Sequence, residues 1–461
     1  MAEHVIKQGL SLPINGKPSN EISDGGAVTR VAVLGHDYPT MKPRMHVEVG
    51  DTVKRGQLLF EDRKSDGIRF TAPGAGEVVA IHRGEKRKFL SMVIELSVSE
   101  QNGDAAADEH MSFPSYTGGE ASGLNSEQVR ALIGESGLWT AIRQRPFDRV
   151  PSTNDSCAAI FITATDTNPL AGSVEAIVAG QEEALKEGLH ALSHLTEGAL
   201  YLCVGPQWKV DVGSVPRLQT EVFSGKHPAG LVGTHIHTLC PVGRKRTVWH
   251  IGVQDVIAIG HLFKTGKVDV NRVVAFAGPV VAEPRLLRTR VGASTLELTA
   301  GGLKANAGEP RLISGSVIYG HTAQDETVGY VNRYDAQITA LAEDRERKFL
   351  GWLAPGGGIY STINAFISSL VPSKTFDMTT TTNGSHRAMV PIGMFERVMP
   401  LDIMPTFLLR SLLVSDIERS EELGCLELHE EDLALCSFVS PGKEDYGKAL
   451  RTVLTDIWQE G

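Results

Sequence analysis

The residues in this sequence best suited to chemistry are histidines, and they cluster in one stretch. Five of the fifteen lie within 35 residues: His227, His235, His237, His250 and His261. If residues 234–238 form a strand, His235 and His237 point to the same face, a geometry that can ligate a metal ion. Clustered histidines are more often hydrogen-bonded structural imidazoles. We therefore expect no metal site and keep a histidine-based metal-binding module as an alternative.

A second candidate is the loop 165–170, which contains Asp166 and Asn168. It follows a buried strand predicted at 158–164, and a helix and a further strand at 199–204 come next. This order predicts parallel strands joined by a helical crossover, as in a Rossmann-like layer. Ligands of such sheets bind at the carboxyl ends of the strands, which is where this loop lies.

Nucleotide-binding loops are missing from the sequence. A phosphate-binding loop needs glycines at fixed spacing before a lysine and a hydroxyl residue. The nearest match, Gly260–Lys267, has one residue too many and is followed by Val268. No G-x-G-x-x-G motif follows a predicted strand. We expect no catalytic residue of an independent enzyme on this chain.

Composition narrows the class of protein. The 461 residues carry 45 Lys and Arg against 55 Asp and Glu, a formal net charge of -10, which argues against a nucleic-acid binder. No apolar run approaches the roughly 18 residues of a spanning helix. The amino terminus lacks signal-peptide features, and the five cysteines form no C-x-x-C pair, so we expect a cytosolic chain without disulfides.

The elements that must hold these residues indicate an α+β and α/β chain of four domains, at 1–100, 101–259, 260–335 and 336–461. Residues 28–98 alternate short strands with glycine turns and resemble the biotinyl/lipoyl β barrel-sandwich. A carrier domain of that type modifies a lysine at a hairpin tip. Lys64 lies in the corresponding stretch, but the biotin and lipoate signatures are absent, so we predict a structural module.

The second domain is predicted to be α/β. A helix is expected from about Ser126 with Val129, Leu132 and Ile133 on its apolar side. Ser173 is expected to cap one long helix that continues to Leu192.

The remaining domains are a small α+β module and a mainly helical region. Helices are predicted at 404–413, 430–438 and 446–458. The last is amphipathic and ends in Trp458, so it either packs in the core or binds a membrane-embedded partner. The acidic run 427–432 would be repelled by anionic lipid, which makes a protein partner a better choice than bare lipid.

Long motifs spread along the whole chain resemble one family. They are Lys7–Pro13, His227–His237, Asn383–Gly393, Glu396–Ile403 and Leu423–Cys436. Together they resemble the A subunit of the bacterial sodium-translocating NADH:quinone reductase. The family is similar to the C subunit of Rnf complexes and to the flavin-binding subunit of complex I. The resemblance implies a β-grasp-like, SLBB-type third module.

The flavin loop of those relatives is altered here. Their glycine-rich loop cradles the FMN phosphate, and the corresponding stretch of this chain runs from Gly137 to Phe147. Ala141, Ile142 and Arg143 replace the glycines, and their side chains would block the close backbone approach that phosphate needs. The resemblance therefore implies a degenerate flavin site and a chain that binds no cofactor, while other subunits carry the flavins and iron–sulfur centre.

What the resemblance implies is a peripheral subunit on the cytoplasmic face of the bacterial inner membrane. It would belong to a six-subunit complex that couples NADH-to-quinone electron transfer to Na⁺ export, and it would bind the membrane-embedded B subunit. A quinone contact is expected, if anywhere, at Asp166, Asn168, His235 and His237. An autonomous soluble NADH or flavin oxidoreductase is the other alternative.

Overall fold

The computed structural model describes residues 2–345, 355–363 and 365–460. The other residues of the predicted helical region, 346–354, 364 and 461, lie outside the described part of the chain. The described residues form four sheets and a group of helices at the carboxyl-terminal end.

The amino-terminal strands wrap around one core, as the glycine-punctuated pattern predicts. Two of them join sheets formed by later parts of the chain: β1 (Glu3–Ile6) and β2 (Ile22–Asp24). The others are β3 (Arg30–Leu34), β4 (Pro43–Met45), β5 (Thr52–Val53), β6 (Leu58–Asp62), β7 (Arg69–Thr71), β8 (Gly76–Arg83) and β9 (Phe89–Leu96), followed by the short helix α1 (Val98–Gln101). They build a four-stranded sheet, β3-β9-β8-β5, and a three-stranded one, β4-β6-β7.

The second region is an α/β layer whose helices and strands alternate. They are α2 (Ser126–Ser136), β10 (Arg143–Arg145), β11 (Ala159–Ala164), α3 (Val174–Val178), α4 (Glu182–Ser193), β12 (Ala199–Val204), β13 (Leu218–Gly225), α5 (Val232–Leu239), β14 (Val248–Gly252) and α6 (Val253–Thr265). The sheet order is β1-β13-β12-β11-β14-β10, and only β10 is antiparallel to its neighbour. The predicted parallel pair, β11 and β12, is confirmed with Ala159 opposite Ala199.

Two helix predictions in this layer have different outcomes. The long helix expected from Ser173 is two helices, α3 and α4, because the chain turns at Gly180 with φ at +79°. Ser173 caps only the first, by accepting a hydrogen bond from the amide of Ala176. The helix predicted at Ser126 is confirmed, with Asn125 as its capping residue.

The third sheet draws strands from both sides of the 260–335 range. Its elements are β15 (Asn271–Ala277), β16 (Arg285–Arg290), α7 (Thr295–Thr299), β17 (Pro310–Ser314), β18 (His321–Thr322) and β19 (Gln337–Ala342). The order β18-β17-β19-β15-β16-β2 adds β2 at one edge, and β19 lies beyond residue 335. Side chains of this sheet, such as Phe276, share one apolar cluster with Phe60 of the amino-terminal strands.

The carboxyl-terminal region is helical from residue 394 onwards, whereas the start of the range predicted as mainly helical, 336–461, holds β19 and the irregular described residues 355–392. Its helices are α8 (Met394–Val398), α9 (Pro405–Leu413), α10 (Ile417–Glu422), α11 (Ala434–Val439) and α12 (Tyr446–Glu460). The predicted stretch 430–438 is a 3-10 turn, Glu430–Leu433, that leads into α11. Of the two readings of α12, the core helix is the one observed: Leu450, Leu454 and Ile457 are buried. Among the described residues, no helix is long and apolar enough to cross a membrane.

Candidate functional site

The carboxyl edge of the parallel sheet brings together the two loops that the sequence singles out. The hydroxyl of Thr167 lies 3.3 Å from Nδ1 of His227 and accepts a hydrogen bond from the amide of Gly230 at 2.8 Å. A side chain at Gly230 would meet the backbone of Thr167 at 2.6 Å. The loops after β11 and before α5 therefore pack directly on each other.

The condition for a shared face, a strand at 234–238, is not met, because these residues form α5. In a helix, residues two apart point in different directions. His235 is completely buried, with Nε2 3.0 Å from the carbonyl of Ala229. His237 faces the carboxyl-terminal region, where Nδ1 lies 2.6 Å from a carboxylate oxygen of Glu427. The two imidazoles do not share a face, so the geometry behind the metal-binding alternative is absent.

The acidic run 427–432 is part of this edge. Besides Glu427, which contacts His237, three of its carboxyl groups contact residues from other parts of the chain. Asn168 donates its amide to Glu431 at 3.0 Å, and Arg145 contacts Asp432 at 3.0 Å. Arg451 pairs with Glu430 through two hydrogen bonds of 2.5 and 2.6 Å. The carboxyl-terminal region thus covers the part of the sheet where an α/β domain usually binds its ligand.

Asp148 is the centre of this contact. Its carboxylate is fully buried, 2.5 Å from Arg143, 3.0 Å from Arg145 and 2.8 Å from Nε2 of His250. Nε2 of His429, from the acidic run, lies 3.2 Å away. Burial alone would raise the pKa of Asp148, but Arg143, His429 and Arg145 hold that pKa well below its usual value. The group is a permanent anion that links β10 to the carboxyl-terminal region.

The buried histidines of this site are neutral near pH 7. Burial lowers the pKa of His227 and of His250 to about 4, and that of His235 and of His429 to about 3. His237 differs, because its hydrogen bond to Glu427 raises its pKa. Four of these imidazoles therefore act as neutral hydrogen-bonding groups.

Three carboxyl groups at the edge have pKa values above their usual range. Burial raises the pKa of Asp166 and of Asp432, and it raises the pKa of Glu431 to about 8. For Glu431 the hydrogen bond from Asn168 is too small an effect to reverse this. Glu431 is consequently protonated at neutral pH and lies beside Asn168, an uncharged partner.

Residues 137–147, for which the sequence analysis expects a degenerate flavin loop, are engaged in contacts within the chain. Gly137 ends α2 with φ at +81°. Ala141 and Ile142 are buried in the core of the α/β layer, and the guanidinium of Arg143 lies 4.2 Å from the ring centre of Tyr334. The amide of Ile142 donates to the carbonyl of Trp139.

Further amides of this segment are also engaged. Thr140 donates to Gly137, and Gln144 donates to the carbonyl of Arg149 at 2.8 Å. Arg143 and Arg145 pair with β14. An anion-binding loop presents several free, convergent amides, and the hydrogen bonds observed in this described segment leave no such set.

The space left near this contact is small. A cavity of about 10 Å³ lies between the amino-terminal strands and Asp148, with Tyr38 and Tyr334 in its wall. That volume suits about one water molecule. Among residues 2–345, 355–363 and 365–460, no group of three or more His, Cys, Asp or Glu is arranged to hold a metal ion.

The cysteines and Lys64, which the sequence analysis considered for disulfide and carrier chemistry, are engaged in the fold. All five cysteines are free thiols, and burial raises the pKa of Cys157, Cys425 and Cys436 to about 12, which keeps those three unreactive. The ammonium of Lys64 lies 4.7 Å from the ring centre of Trp458. This contact ties the β6–β7 turn to α12.

Sequence reasoning missed several residues of the site. Asp148, Tyr319 and Tyr334 were not singled out, and the acidic run was considered only for its repulsion from anionic lipid. The partners of Tyr319 and Tyr334 are distant in sequence; the hydroxyl of Tyr319, for example, lies 3.2 Å from Nε2 of His429. The one local signal was the strand of basic residues Arg143–Arg145, which cannot be buried without carboxylate partners.

Comparison with known proteins agrees with this architecture. Sequence models of three domains match: the NqrA N-terminal barrel-sandwich hybrid domain at 4–97, the NqrA second alpha/beta domain at 124–268 and the NQRA C-terminal domain at 273–325. The first region is thus a barrel-sandwich domain, the second an α/β domain and the third an SLBB domain. One chain of a solved NAD⁺-reducing [NiFe]-hydrogenase aligns at 13% identity over 52% of this chain and 50% of its own, with a TM-score of 0.36, too low to support an argument.

Full-length relatives are much more similar. The chain is 50% identical to the A subunit of the Na⁺-translocating NADH-quinone reductase of Cellvibrio japonicus and to that of Vibrio anguillarum, over 99% of each chain. It is 49% identical to the corresponding subunit of Pasteurella multocida over the same share. Identity of this extent along whole chains shows that the protein belongs to the family formed by the A subunits of Na⁺-translocating NADH-quinone reductases.

Proposed function

We propose that the chain is a peripheral, cofactor-free subunit of a respiratory Na⁺-translocating NADH:quinone reductase. In this proposal it lies on the cytoplasmic face of the bacterial inner membrane, with the membrane-embedded B subunit as its nearest partner in a six-subunit complex. The relatives' name supports the assembly, because it assigns them to a Na⁺-translocating NADH-quinone reductase.

The observation that carries the cofactor-free role is the use of the amides in segment 137–147. Thr140, Ile142 and Gln144 donate within the chain, and the side chains of Ala141 and Ile142 fill the core. A flavin phosphate would have to replace these bonds and displace buried side chains. The residues present therefore do not fit a flavin at this place, and the electron carriers belong on other subunits.

The chain's contribution to the complex is then structural. The edge at which an α/β domain would bind a nucleotide is covered by the acidic run and fixed by Asp148. We interpret the α/β domain as a Rossmann-like layer kept for its shape. It holds the amino-terminal and carboxyl-terminal regions in one arrangement that the membrane partner can bind.

A quinone contact at the edge is the finer part of the proposal. Asp166 and Asn168 are partly exposed there, and Asn168 already donates to Glu431. His235 is fully buried and His237 is paired with Glu427, so neither offers a free group to a quinone in this arrangement. Of the four residues, Asp166 and Asn168 are the better candidates.

Affinity purification from membranes tests the assembly. The full-length chain, carrying a tag and expressed with the remaining subunits, should bring down the membrane subunits together with Na⁺-stimulated NADH:quinone reductase activity. Recovery of the tagged chain alone, with the activity left in the unbound membranes, would contradict the proposal. An autonomous oxidoreductase would instead oxidise NADH as the isolated chain.

A further inference from the structure

Exposed apolar side chains are concentrated in one part of the chain. Among the described residues, fourteen large apolar side chains are exposed, and nine of them lie between residues 363 and 414. We name the described residues of 355–392 the strap. It contributes Ile363, Ile367, Leu370, Val371, Val390 and Ile392, of which Leu370 is 78% exposed. Because exposed apolar patches mark interaction sites, this part of the chain is the candidate for one.

The strap is held in place against the body of the protein. The amide of Phe376 donates to the carbonyl of Pro13 at 2.8 Å, and that of Arg387 donates to Gly442 at 2.8 Å. Phe376 is also buried. The apolar side chains therefore face outward from a segment that is anchored at several points.

Helix α9 adds a second apolar group. Phe407 of α9 and the two residues that flank the helix, Met404 and Val414, are exposed. The opposite side of α9, with Leu408, Leu409 and Leu412, is buried in the carboxyl-terminal core. A helix with apolar residues on both sides has a second face available for a partner.

The strap also differs from the rest of the chain in charge. The whole protein carries a formal net charge of -10, whereas the strap holds one acidic residue, Asp377, and two full cations, Lys374 and Arg387. Serine, threonine and glycine make up much of what remains. A surface of this kind suits an uncharged apolar partner and would not repel an anionic one.

The backbone of the strap favours a protein partner over lipid. In its described residues, the 3-10 turn Ile367–Leu370 is the one regular helix or strand. Irregular backbone is not tolerated in the hydrocarbon of a bilayer, because its amides and carbonyls find no partners there. Lipid-binding helices are long, amphipathic and rich in cations, which the strap is not.

We propose that the strap and the outer side of α9 form the surface that binds an apolar, uncharged surface of the membrane-spanning partner subunit. This inference rests on the proposed function, which supplies a partner with membrane spans. The inference adds the location on this chain at which that partner binds.

The test compares two sets of substitutions in the tagged full-length chain, co-expressed with the other subunits. The first set is Leu370→Ser, Val371→Ser and Phe407→Ser. The matched control is Val49→Ser, Val98→Ser and Leu296→Ser, which changes three comparably exposed apolar side chains elsewhere. Because all six are exposed, the thermal midpoint of the isolated chain should not change in either set.

We expect the first set to lower the yield of membrane subunit per tagged chain by at least about tenfold, as for loss of the central residues of an interface. The control should keep the wild-type yield. Equal yields from both sets would overturn the inference and leave the proposed function intact. If the wild-type chain brought down no membrane subunit, the proposed function itself would fail.

A second measurement separates lipid from protein. The isolated wild-type chain should not pellet with vesicles of phosphatidylglycerol and phosphatidylethanolamine. Pelleting that the first set abolishes would overturn the proposal in favour of direct membrane binding.

Discussion

Asp148 shows how single residues join the regions of this protein. A carboxylate without solvent is costly, so it requires cationic partners, and Arg143 and Arg145 of β10 supply them while His250 adds a hydrogen bond. Arg145 extends the network to Asp432 and to the carbonyl of Glu427. The same network thus stabilises the loop after β10 and the contact with the carboxyl-terminal region.

Arg145→Ala should be strongly destabilising, since it leaves Asp148 and Asp432 buried with one cation fewer. We expect a loss of about 3–5 kcal/mol, the usual cost of removing one partner from a buried pair. The measurement is the thermal midpoint by scanning calorimetry. Arg419→Ala, which removes an exposed pair with Glu422, is the control and should cost less than about 1 kcal/mol. Similar midpoints for both variants would refute the structural role of Arg145.

Glu431 gives the edge a dependence on pH. Its folded pKa of about 8 lies above the usual 4.5, so its contribution is fully present below pH 4.5 and is lost as the pH rises towards 8. Glu431→Gln replaces the titrating carboxyl group by an amide, whose oxygen can still accept the hydrogen bond from Asn168. The difference in unfolding free energy between variant and wild type should therefore grow with pH, by at most about 1.4 kcal/mol per unit, and level off above pH 8. A difference that stays constant from pH 5 to pH 8 would show that Glu431 is ionised throughout.

At the scale of elements, helices α4 and α6 pack closely because glycines lie where they cross. A side chain at Gly188 would meet the carbonyl of Val256 at 2.0 Å, and one at Gly260 would meet the carbonyl of Ala184 at 1.8 Å. The helix-propensity cost of these glycines is offset by the packing they permit.

Gly260→Ala should consequently lower the free energy of unfolding by about 1–3 kcal/mol, although alanine is the better helix former. The measurement is the thermal midpoint, which should fall. Gly134→Ala in α2 is the matched control. Its added methyl group would lie 3.7 Å from Thr153, an ordinary contact, so this change should raise stability by up to about 1 kcal/mol. If Gly260→Ala also raised stability, helix propensity rather than the packing of α4 on α6 would decide the effect of both changes.

The elements differ in how far the sequence could predict them. Strand β12 has the predicted bounds, because a buried parallel strand is a continuous apolar run between turns. Residues 234–238 were considered as a strand but belong to helix α5, and periodicity cannot resolve so short a segment. The cover formed by Glu431 and its neighbours could not be predicted, because the partner Asn168 lies 263 residues away.

At the scale of the whole molecule, the acidic run 427–432 packs over the edge of the α/β sheet at which ligands of such domains usually bind. The family membership is shown by identity along the whole chain, while the cofactor-free role rests on the engaged amides of segment 137–147 and on the acidic run. The same folding leaves the strap and α9 exposed on the outside. In our proposal, the molecule therefore presents its most apolar surface to a partner rather than to a small ligand.

The proposed cofactor-free role is tested most directly by the visible absorption spectrum of this chain. The chain is purified within the complex, separated from the other subunits under native conditions and then measured. We expect protein absorption only, while the flavin and iron–sulfur bands stay with the other subunits. A flavin or iron–sulfur band in stoichiometric amount on this chain would contradict the cofactor-free role.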